Sequence, residues 1–188
     1  MRMKVNLALA LLLFAGCVAP QAAPGFPSFD NRMNEAHAPT PYSAEQIRAA
    51  TSPGSQIRFH VGAPGAQALN QTITFTQPTA EEVTVTVKME NDSGEPLGKA
   101  SSNTVAWTSL QSHASFVEAD TTIARLEHET RLGTSECWQY TVTTVKKKVS
   151  TTSEYWFDVH RPGPPIELTQ RRGGEIIFRM EMIEDTRQ

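Results

Sequence analysis

The sequence has little cysteine and little net charge, and it lacks a long apolar run. Its 188 residues include two cysteines, Cys17 and Cys137, so a framework of several disulfides is excluded. The formal net charge of −3 does not favour nucleic-acid binding, because contacts with phosphates need a basic surface. A transmembrane helix needs about 20 apolar residues, and the apolar run at 7–14 is too short. The length suits one domain with an ordinary apolar core.

Motifs for metal or cofactor chemistry are also missing. No pair of cysteines or histidines has zinc-ligand spacing, and there is neither a phosphate-binding loop nor a Gly-x-Ser-x-Gly elbow. His128 and Glu129 begin like a zinc-protease motif, but Leu132 stands where the second histidine is needed. We therefore expect neither a metal nor a cofactor.

The N-terminus carries an export signal. Two basic residues precede the apolar run at 7–14, and two small residues then precede Cys17. The small pair before a cysteine resembles the lipobox of bacterial lipoproteins, although Phe14 stands where that motif usually has leucine. The resemblance implies that residues 1–16 are a lipoprotein signal peptide and that Cys17 is lipidated. The alternative is secretion after cleavage, without a lipid.

The next segment, residues 17–42, joins the lipidated cysteine to the domain. It is rich in proline and alanine, which favours an extended tether over a helix or a strand. Val18 stands where enteric lipoproteins retained in the inner membrane have aspartate, so we expect the outer membrane of a Gram-negative host, on its periplasmic side or surface. The folded domain, residues 43–188, is expected to begin with a capping box formed by Ser43 and Gln46.

From Gln56 onward, apolar and polar residues alternate. A period of two predicts strands with one buried and one solvated face, which is typical of antiparallel sheets. Turn sequences divide the pattern into eight or nine strands, with one short helix after Ser43 and another near Trp107. The expected fold is mainly β: a single curved antiparallel meander sheet, half-barrel or barrel-like.

Large apolar side chains on the predicted strands form the main candidate site. They are Phe59, Phe75, Trp138, Tyr140, Tyr155, Phe157, Phe178 and Met180, with Met182 on the same face. If the sheet closes on them, they form a core. If it stays half-open, they line a groove, and flexible methionine there would suit an acyl chain or an apolar peptide.

A few polar residues are weaker candidates. Asp158 and His160 are two residues apart on a predicted strand and so share a face, where an aspartate can orient an imidazole as a base. Cys137 could add a thiol nucleophile. The alternatives are a solvated strand end and a buried cysteine, since free cysteine is usually buried. Three lysines at 146–148 could face anionic headgroups or protect a hairpin from aggregation.

Several short motifs between residues 42 and 183 resemble a family of uncharacterised bacterial lipoproteins and secreted proteins. The first is residues 42–48 followed by Pro53-Gly54, and the second is Ser115-Phe116. The third is Gly133-Thr134 followed by Cys137-Trp138 and Tyr140. The fourth is residues 155–157, which precede residues 162–165. The resemblance implies a small secreted β domain without an assigned activity. Ser135-Glu136 depart from it, because an apolar residue is expected after Gly-Thr. Similar sheets occur in half-barrel periplasmic lipid carriers.

The sequence thus favours a non-enzymatic envelope lipoprotein, held at a membrane by its N-terminal lipid, whose curved sheet binds an apolar, lipid-like ligand or an envelope protein. The second interpretation is a purely structural or interaction module with a closed core. The third is a hydrolase that uses Cys137 or the Asp158/His160 pair. Nucleic acid is not an expected partner.

Overall fold

The computed structural model describes residues 27–187, in which nine antiparallel strands form one sheet. The predicted signal peptide and Cys17 lie outside these residues. The strands are β1 (Gln56–Gly62), β2 (Leu69–Thr76), β3 (Glu82–Glu90), β4 (Ser101–Ala106), β5 (Thr121–Thr130), β6 (Gly133–Lys146), β7 (Val149–Asp158), β8 (Glu167–Arg172) and β9 (Glu175–Asp185). The helices are α1 (Ala44–Ala49) and α2 (Trp107–Ser112), with short 3-10 turns at Phe29–Asn31 and Glu118–Asp120.

The strand order is β4-β3-β2-β1-β9-β8-β7-β6-β5. The first four strands form one meander and the last five form another, and the two meanders are joined by pairing of β1 with β9. The connection from β4 to β5 therefore leads from one edge of the sheet to the other, and α2 lies on it. The sheet is not closed into a barrel. The prediction of a single curved antiparallel sheet with two short helices is confirmed.

The helix α1 begins where the sequence places it. The Ser43 hydroxyl accepts the Gln46 backbone N–H at 3.2 Å, and the Gln46 side chain accepts the Ser43 N–H at 2.8 Å. This is the predicted capping box, and it satisfies two backbone donors that a helix start leaves free. The helix ends within two turns, where the Thr51 hydroxyl donates to the Ile47 carbonyl at 2.8 Å.

The core lies between the helices and one face of the sheet, which we call the concave face. On β1, Ile57, Phe59 and Val61 are buried and alternate with half-exposed residues, as the period of two predicts. Phe59 pairs across the strands with Met182 of β9, which is also fully buried. The pairing of β1 with β9, which joins the two meanders, is thus covered by apolar side chains on the concave face.

The chain before Ser43 also packs on the domain. Ala38 donates its N–H to the Phe116 carbonyl at 2.9 Å, and the Tyr140 hydroxyl donates to the Pro39 carbonyl at 2.7 Å. Tyr42 is buried and donates its hydroxyl to the Asp158 carbonyl. Residues 31–42, here called the N-terminal strap, were assigned to the tether by composition. Proline keeps such a segment extended with free carbonyls, and Tyr140 of the sheet donates to one of them, that of Pro39. The packed region therefore includes residues before Ser43.

Among residues 27–187, no helix has both the length and the apolar character needed to cross a membrane.

Candidate functional site

An apolar cavity of about 290 Å³ lies between the helices and the concave face. Its walls come from α1, α2, β2, β3 and β7. The principal apolar lining residues are Ile47, Ile73, Phe75, Val85, Leu110 and Phe157. Because these elements are far apart in the sequence, the cavity exists only when the sheet curves and both helices lie across it.

Local periodicity explains why these side chains face inward. Ile73 and Phe75 are two residues apart on β2 and so share a face, and Phe75 pairs with Val85 of β3. In the helical segment, Leu110 and Ala114 are four residues apart, which places them above one another on one side. Both line the cavity. The inward-facing side chains of the strands and of the helical segment therefore line the same apolar cavity.

One rim of the cavity is built from the loop at 162–165 and from Arg187. The Arg187 side chain is 2% exposed and binds Asp185 with two contacts, of 3.0 Å and 2.7 Å. Its remaining terminal nitrogen donates to the Pro162 carbonyl at 2.7 Å. Gly163 has φ +151 and lies directly against this guanidinium, where an added Cβ would overlap it. The rim therefore holds a buried arginine whose charge Asp185 neutralises.

The predicted groove residues divide between this cavity and the core. Phe75, Tyr155 and Phe157 line the cavity. Phe59 and Tyr140 are fully buried, Trp138 is 7% exposed beneath the Arg125 guanidinium, and Phe178 and Met180 are half-buried against the core. Strand alternation places these side chains on one face of the sheet, but it does not separate the wall of a cavity from a closed core.

Aromatic rings connect the cavity wall to the N-terminal strap. Phe116 lies 4.6 Å from Tyr155 and 5.9 Å from Tyr140, measured between ring centroids. Tyr140 meets Phe157 edge-on at 5.4 Å, and Tyr42 meets Phe157 edge-on at 6.3 Å. Burial raises the pKa of Tyr42, Tyr140 and Tyr155, so these hydroxyls stay protonated. Tyr42 and Tyr140 use their protons to hold the chain backbone.

Asp158 and His160 do not form a base and its orienting group. The Asp158 carboxylate accepts the backbone N–H of His160 at 2.9 Å, which is a turn contact. The His160 ring is 78% exposed, and its Nε2 lies 4.0 Å from the Glu136 carboxylate. The carboxylate therefore stabilises the end of β7 and leaves the imidazole in solvent.

Cys137 lies opposite Asp158 in the register of β6 and β7, and it is fully buried. Burial raises the pKa of its thiol to about 12, with smaller contributions from Asp158 and Glu136. The reactive form of cysteine is the thiolate, and a thiol with this pKa stays protonated at neutral pH. In this arrangement Cys137 acts as a small packing residue.

The opposite face of the sheet carries a second cluster, the ion-pair face, made of His128, Trp156, Glu167 and Arg179. The His128 ring stacks on Trp156 with 3.9 Å between ring centroids. Its Nε2 lies 3.1 Å from a Glu167 carboxylate oxygen, and Arg179 approaches the same oxygen at 3.3 Å. The Thr169 hydroxyl donates to the other oxygen at 3.2 Å. Both oxygens of this buried carboxylate therefore have partners.

The ion-pair face also shows how the β5–β6 hairpin packs. His128 belongs to β5, yet its ring reaches β7 and β8, and Arg131 at the hairpin turn reaches Glu181 of β9 at 3.2 Å. Charged contacts therefore hold the end of the β5–β6 hairpin against the rest of the sheet. The sequence alone does not reveal this cluster, because its members are scattered singly over four strands.

Within residues 27–187, no group of three or more His, Cys, Asp or Glu side chains is arranged to hold a metal ion. Comparison with family models, with curated proteins and with solved structures finds no match to this chain. Function must therefore be argued from the geometry of the sites themselves.

Proposed function

We propose that this protein is a membrane-anchored, non-enzymatic envelope lipoprotein that binds one apolar, lipid-like ligand on the concave face of its sheet. The apolar cavity under α1 and α2 is the observation that carries the proposal. Ligand sites are typically concave and mostly apolar, with few polar groups that fix orientation. Among the described residues, His113, Tyr155 and Arg187 are the lining residues with polar side-chain groups.

The size of the cavity limits the ligand. A volume of about 290 Å³ holds about ten water-sized groups at about 30 Å³ each, which fits about ten carbons of one acyl chain and excludes a complete diacyl lipid. Each buried methylene stabilises such a complex by about 0.8 kcal/mol. A single chain therefore supplies enough apolar surface for a specific complex.

The pairing of the Arg187 charge at the rim favours an apolar ligand over an ionic one. Arg187 is paired with Asp185 and with a backbone carbonyl, so its charge is already balanced inside the protein. A ligand carboxylate would have to compete with Asp185 for the same donors. Selectivity then comes from the shape and apolar character of the wall.

The anchor is the second part of the proposal. Lipid at Cys17, followed by the segment at 18–26, would hold the domain close to a membrane that supplies acyl chains. Metabolic labelling with an alkyne-tagged fatty acid tests this directly. We expect labelling of the parent chain and none of Cys17→Ser, and an unlabelled parent would rule out the anchor.

A purely structural or interaction module is the second candidate, and the full burial of Phe59 and Tyr140 favours it. In that case the cavity is only imperfect packing, and no ligand enters it. Filling the cavity then changes stability without affecting any binding.

Cavity-filling variants separate these two functions. Ala114 lines the cavity and is buried, so Ala114→Phe occupies the ligand space, with Ala114→Leu as a smaller change. Ser109→Phe adds the same side chain on the exposed side of α2 and serves as the control. The measurement is the affinity of the unlipidated full chain for an apolar fluorophore such as N-phenylnaphthylamine.

We expect Ala114→Phe to reduce fluorophore affinity by at least about tenfold, which is 1.4 kcal/mol, and Ser109→Phe to leave it unchanged. Urea unfolding of both Ala114 variants checks that they fold. Equal affinities for the parent, Ala114→Phe and Ser109→Phe, or no saturable binding by the parent, would exclude the cavity as a ligand site.

A further inference from the structure

Two neighbouring hairpin tips at one end of the sheet carry a concentrated positive charge. Their basic residues are Lys146, Lys147 and Lys148 at the β6–β7 tip and Arg171 and Arg172 at the β8–β9 tip. Thr151 pairs with Arg172 and Thr152 with Arg171, so the two tips lie side by side. We call these five residues, with Val145 and Val149, the basic tip.

The charge of the basic tip is not balanced within the described part of the chain. Between residues 27 and 187, none of the five cations lies within ion-pair distance of a carboxylate. Elsewhere Arg125, Arg179 and Arg187 are paired with carboxylates. Glu175 is the acidic residue of the β8–β9 tip, and it stands opposite Arg172 in the register. A local excess of positive charge remains on a chain whose net charge is −3.

The basic tip also exposes apolar surface. Val145 is 69% exposed and Val149 is 46% exposed. In the β6–β7 register Val149 pairs with Lys146, whereas Val145 pairs with Ser150, so the two valines lie on opposite faces of the hairpin. Both faces of the tip therefore carry one valine beside the lysines.

The basic tip projects from the sheet. The last residue of β6 that pairs with β5 is Val142, and the first residue of β7 that pairs with β8 is Thr151. Residues 143–150 thus extend past both neighbours, and all are exposed. A projecting hairpin can reach a flat surface that the rest of the sheet does not touch.

The backbone of the tip favours other residues than lysine. Lys147 and Lys148 form a two-residue loop with φ 49 and φ 67, a left-handed conformation in which Asn-Gly is preferred. An L-residue with a Cβ pays about 1–2 kcal/mol per residue there. A loop that only had to turn would be more stable with glycine, and strain of this kind points to a function of the side chains.

We propose that the basic tip is a docking surface for an anionic phospholipid bilayer. The lysines and arginines contact the headgroups, and the two valines enter the interface beside them. Basic segments at an anionic membrane bind with about fivefold gain in affinity per cation. The rim of the cavity follows the opposite end of β7, so docking leaves that rim free.

Vesicle sedimentation of the full chain carrying Cys17→Ser, which removes any acyl anchor, tests this surface. The vesicles are phosphatidylcholine alone or phosphatidylcholine mixed with phosphatidylglycerol. Lys147→Gln is compared with Lys99→Gln, since Lys99 is exposed on the β3–β4 connection. Val149→Ser is compared with Leu97→Ser, which is 49% exposed in the parent.

We expect binding to the anionic vesicles only, a loss of about fivefold for Lys147→Gln, a smaller loss for Val149→Ser, and no change for either control. High salt should abolish binding, because the screening length falls from about 10 Å at 0.1 M to about 3 Å at 1 M. Equal binding to both vesicle types, equal losses for Lys147→Gln and Lys99→Gln, or binding to soluble polyphosphate but not to vesicles would each overturn the proposal. The outcome does not depend on whether the cavity binds a ligand.

Discussion

The two faces of the sheet bury their side chains by different means. On the concave face, Phe59 and Phe157 are buried among apolar side chains of the core. On the ion-pair face, Glu167 is covered by His128 and Arg179. The helices have six residues each, about 9 Å at 1.5 Å per residue, and so they cover only part of a nine-stranded sheet. The concave face keeps a cavity, whereas both oxygens of the buried Glu167 carboxylate have partners.

The largest difference between the faces should come from neighbouring residues on β1. Phe59→Ala removes a fully buried side chain from the concave face and should lower the free energy of unfolding by about 3–5 kcal/mol. His60→Ala, on the other face of the same strand, should change it by no more than about 0.5 kcal/mol. Urea unfolding of both variants measures the contrast, and similar losses would mean that the burial of the two faces does not differ in this way.

A matched pair of arginines gives the next largest effect. Arg187→Met leaves the Asp185 carboxylate, with a side chain 1% exposed, without its two direct guanidinium contacts and with Arg161 at 4.0 Å as its remaining cation, and should cost about 3 kcal/mol. Arg179 is 53% exposed, so Arg179→Met should cost about 1 kcal/mol or less.

Thermal and urea unfolding report both costs. Adding Asp185→Asn to Arg187→Met should recover part of the loss, because the buried carboxylate charge is then absent. If the second substitution recovers nothing, the Arg187–Asp185 pair is not what stabilises the rim.

Cys137 makes stability depend on alkaline pH. Its thiol has a pKa of about 12 in the folded protein against 9.0 for an ordinary cysteine, so above pH 9 the unfolded chain releases a proton that the folded chain keeps. The contribution of the Cys137 thiol to the free energy of unfolding is therefore fully present below pH 9. It falls between pH 9 and pH 12 by about 1.4 kcal/mol per pH unit. Between pH 8 and pH 10, Cys137→Ala should lose about 1.4 kcal/mol less than the parent. If the free energies of unfolding of the parent and of Cys137→Ala fall in parallel as the pH rises, the Cys137 thiol has the pKa of an ordinary cysteine.

The smallest effect concerns the aromatic contact of the ion-pair face. His128→Ala removes the stacked ring over Trp156 and should cost about 1 kcal/mol, since Arg179 and Thr169 still satisfy Glu167. The Trp156 environment should change with it, which near-ultraviolet circular dichroism detects. An unchanged spectrum would mean that His128 does not cover Trp156 in solution.

The sequence predicts the local structure well, because strand alternation and capping depend on neighbouring residues. The strand Thr121–Thr130 and the capping box at Ser43 follow from such patterns. Pairing of β1 with β9 could not be predicted, since alternation shows which residues face inward but not which strand lies alongside. The N-terminal strap was missed for a similar reason. Its contacts use backbone carbonyls such as that of Pro39, and these leave no mark in composition.

The candidate site was predicted only in part. Phe75, Tyr155 and Phe157 belong to the cavity wall, but large apolar residues have the same pattern in a wall and in a core. The rim was not foreseen, because Gly163 and Arg187 meet only in the folded chain. A Pro-Gly-Pro-Pro run predicts a turn, and its role beside a cavity depends on what packs against it.

Native mass spectrometry of the unlipidated full chain, purified without detergent from its host, can detect a ligand bound in the cavity. We expect the parent to carry one apolar ligand of the mass of a single acyl chain and Ala114→Phe, folded equally well, to carry none. A parent without added mass, or the same added mass on the parent and on Ala114→Phe, would contradict ligand binding in the cavity of the concave face.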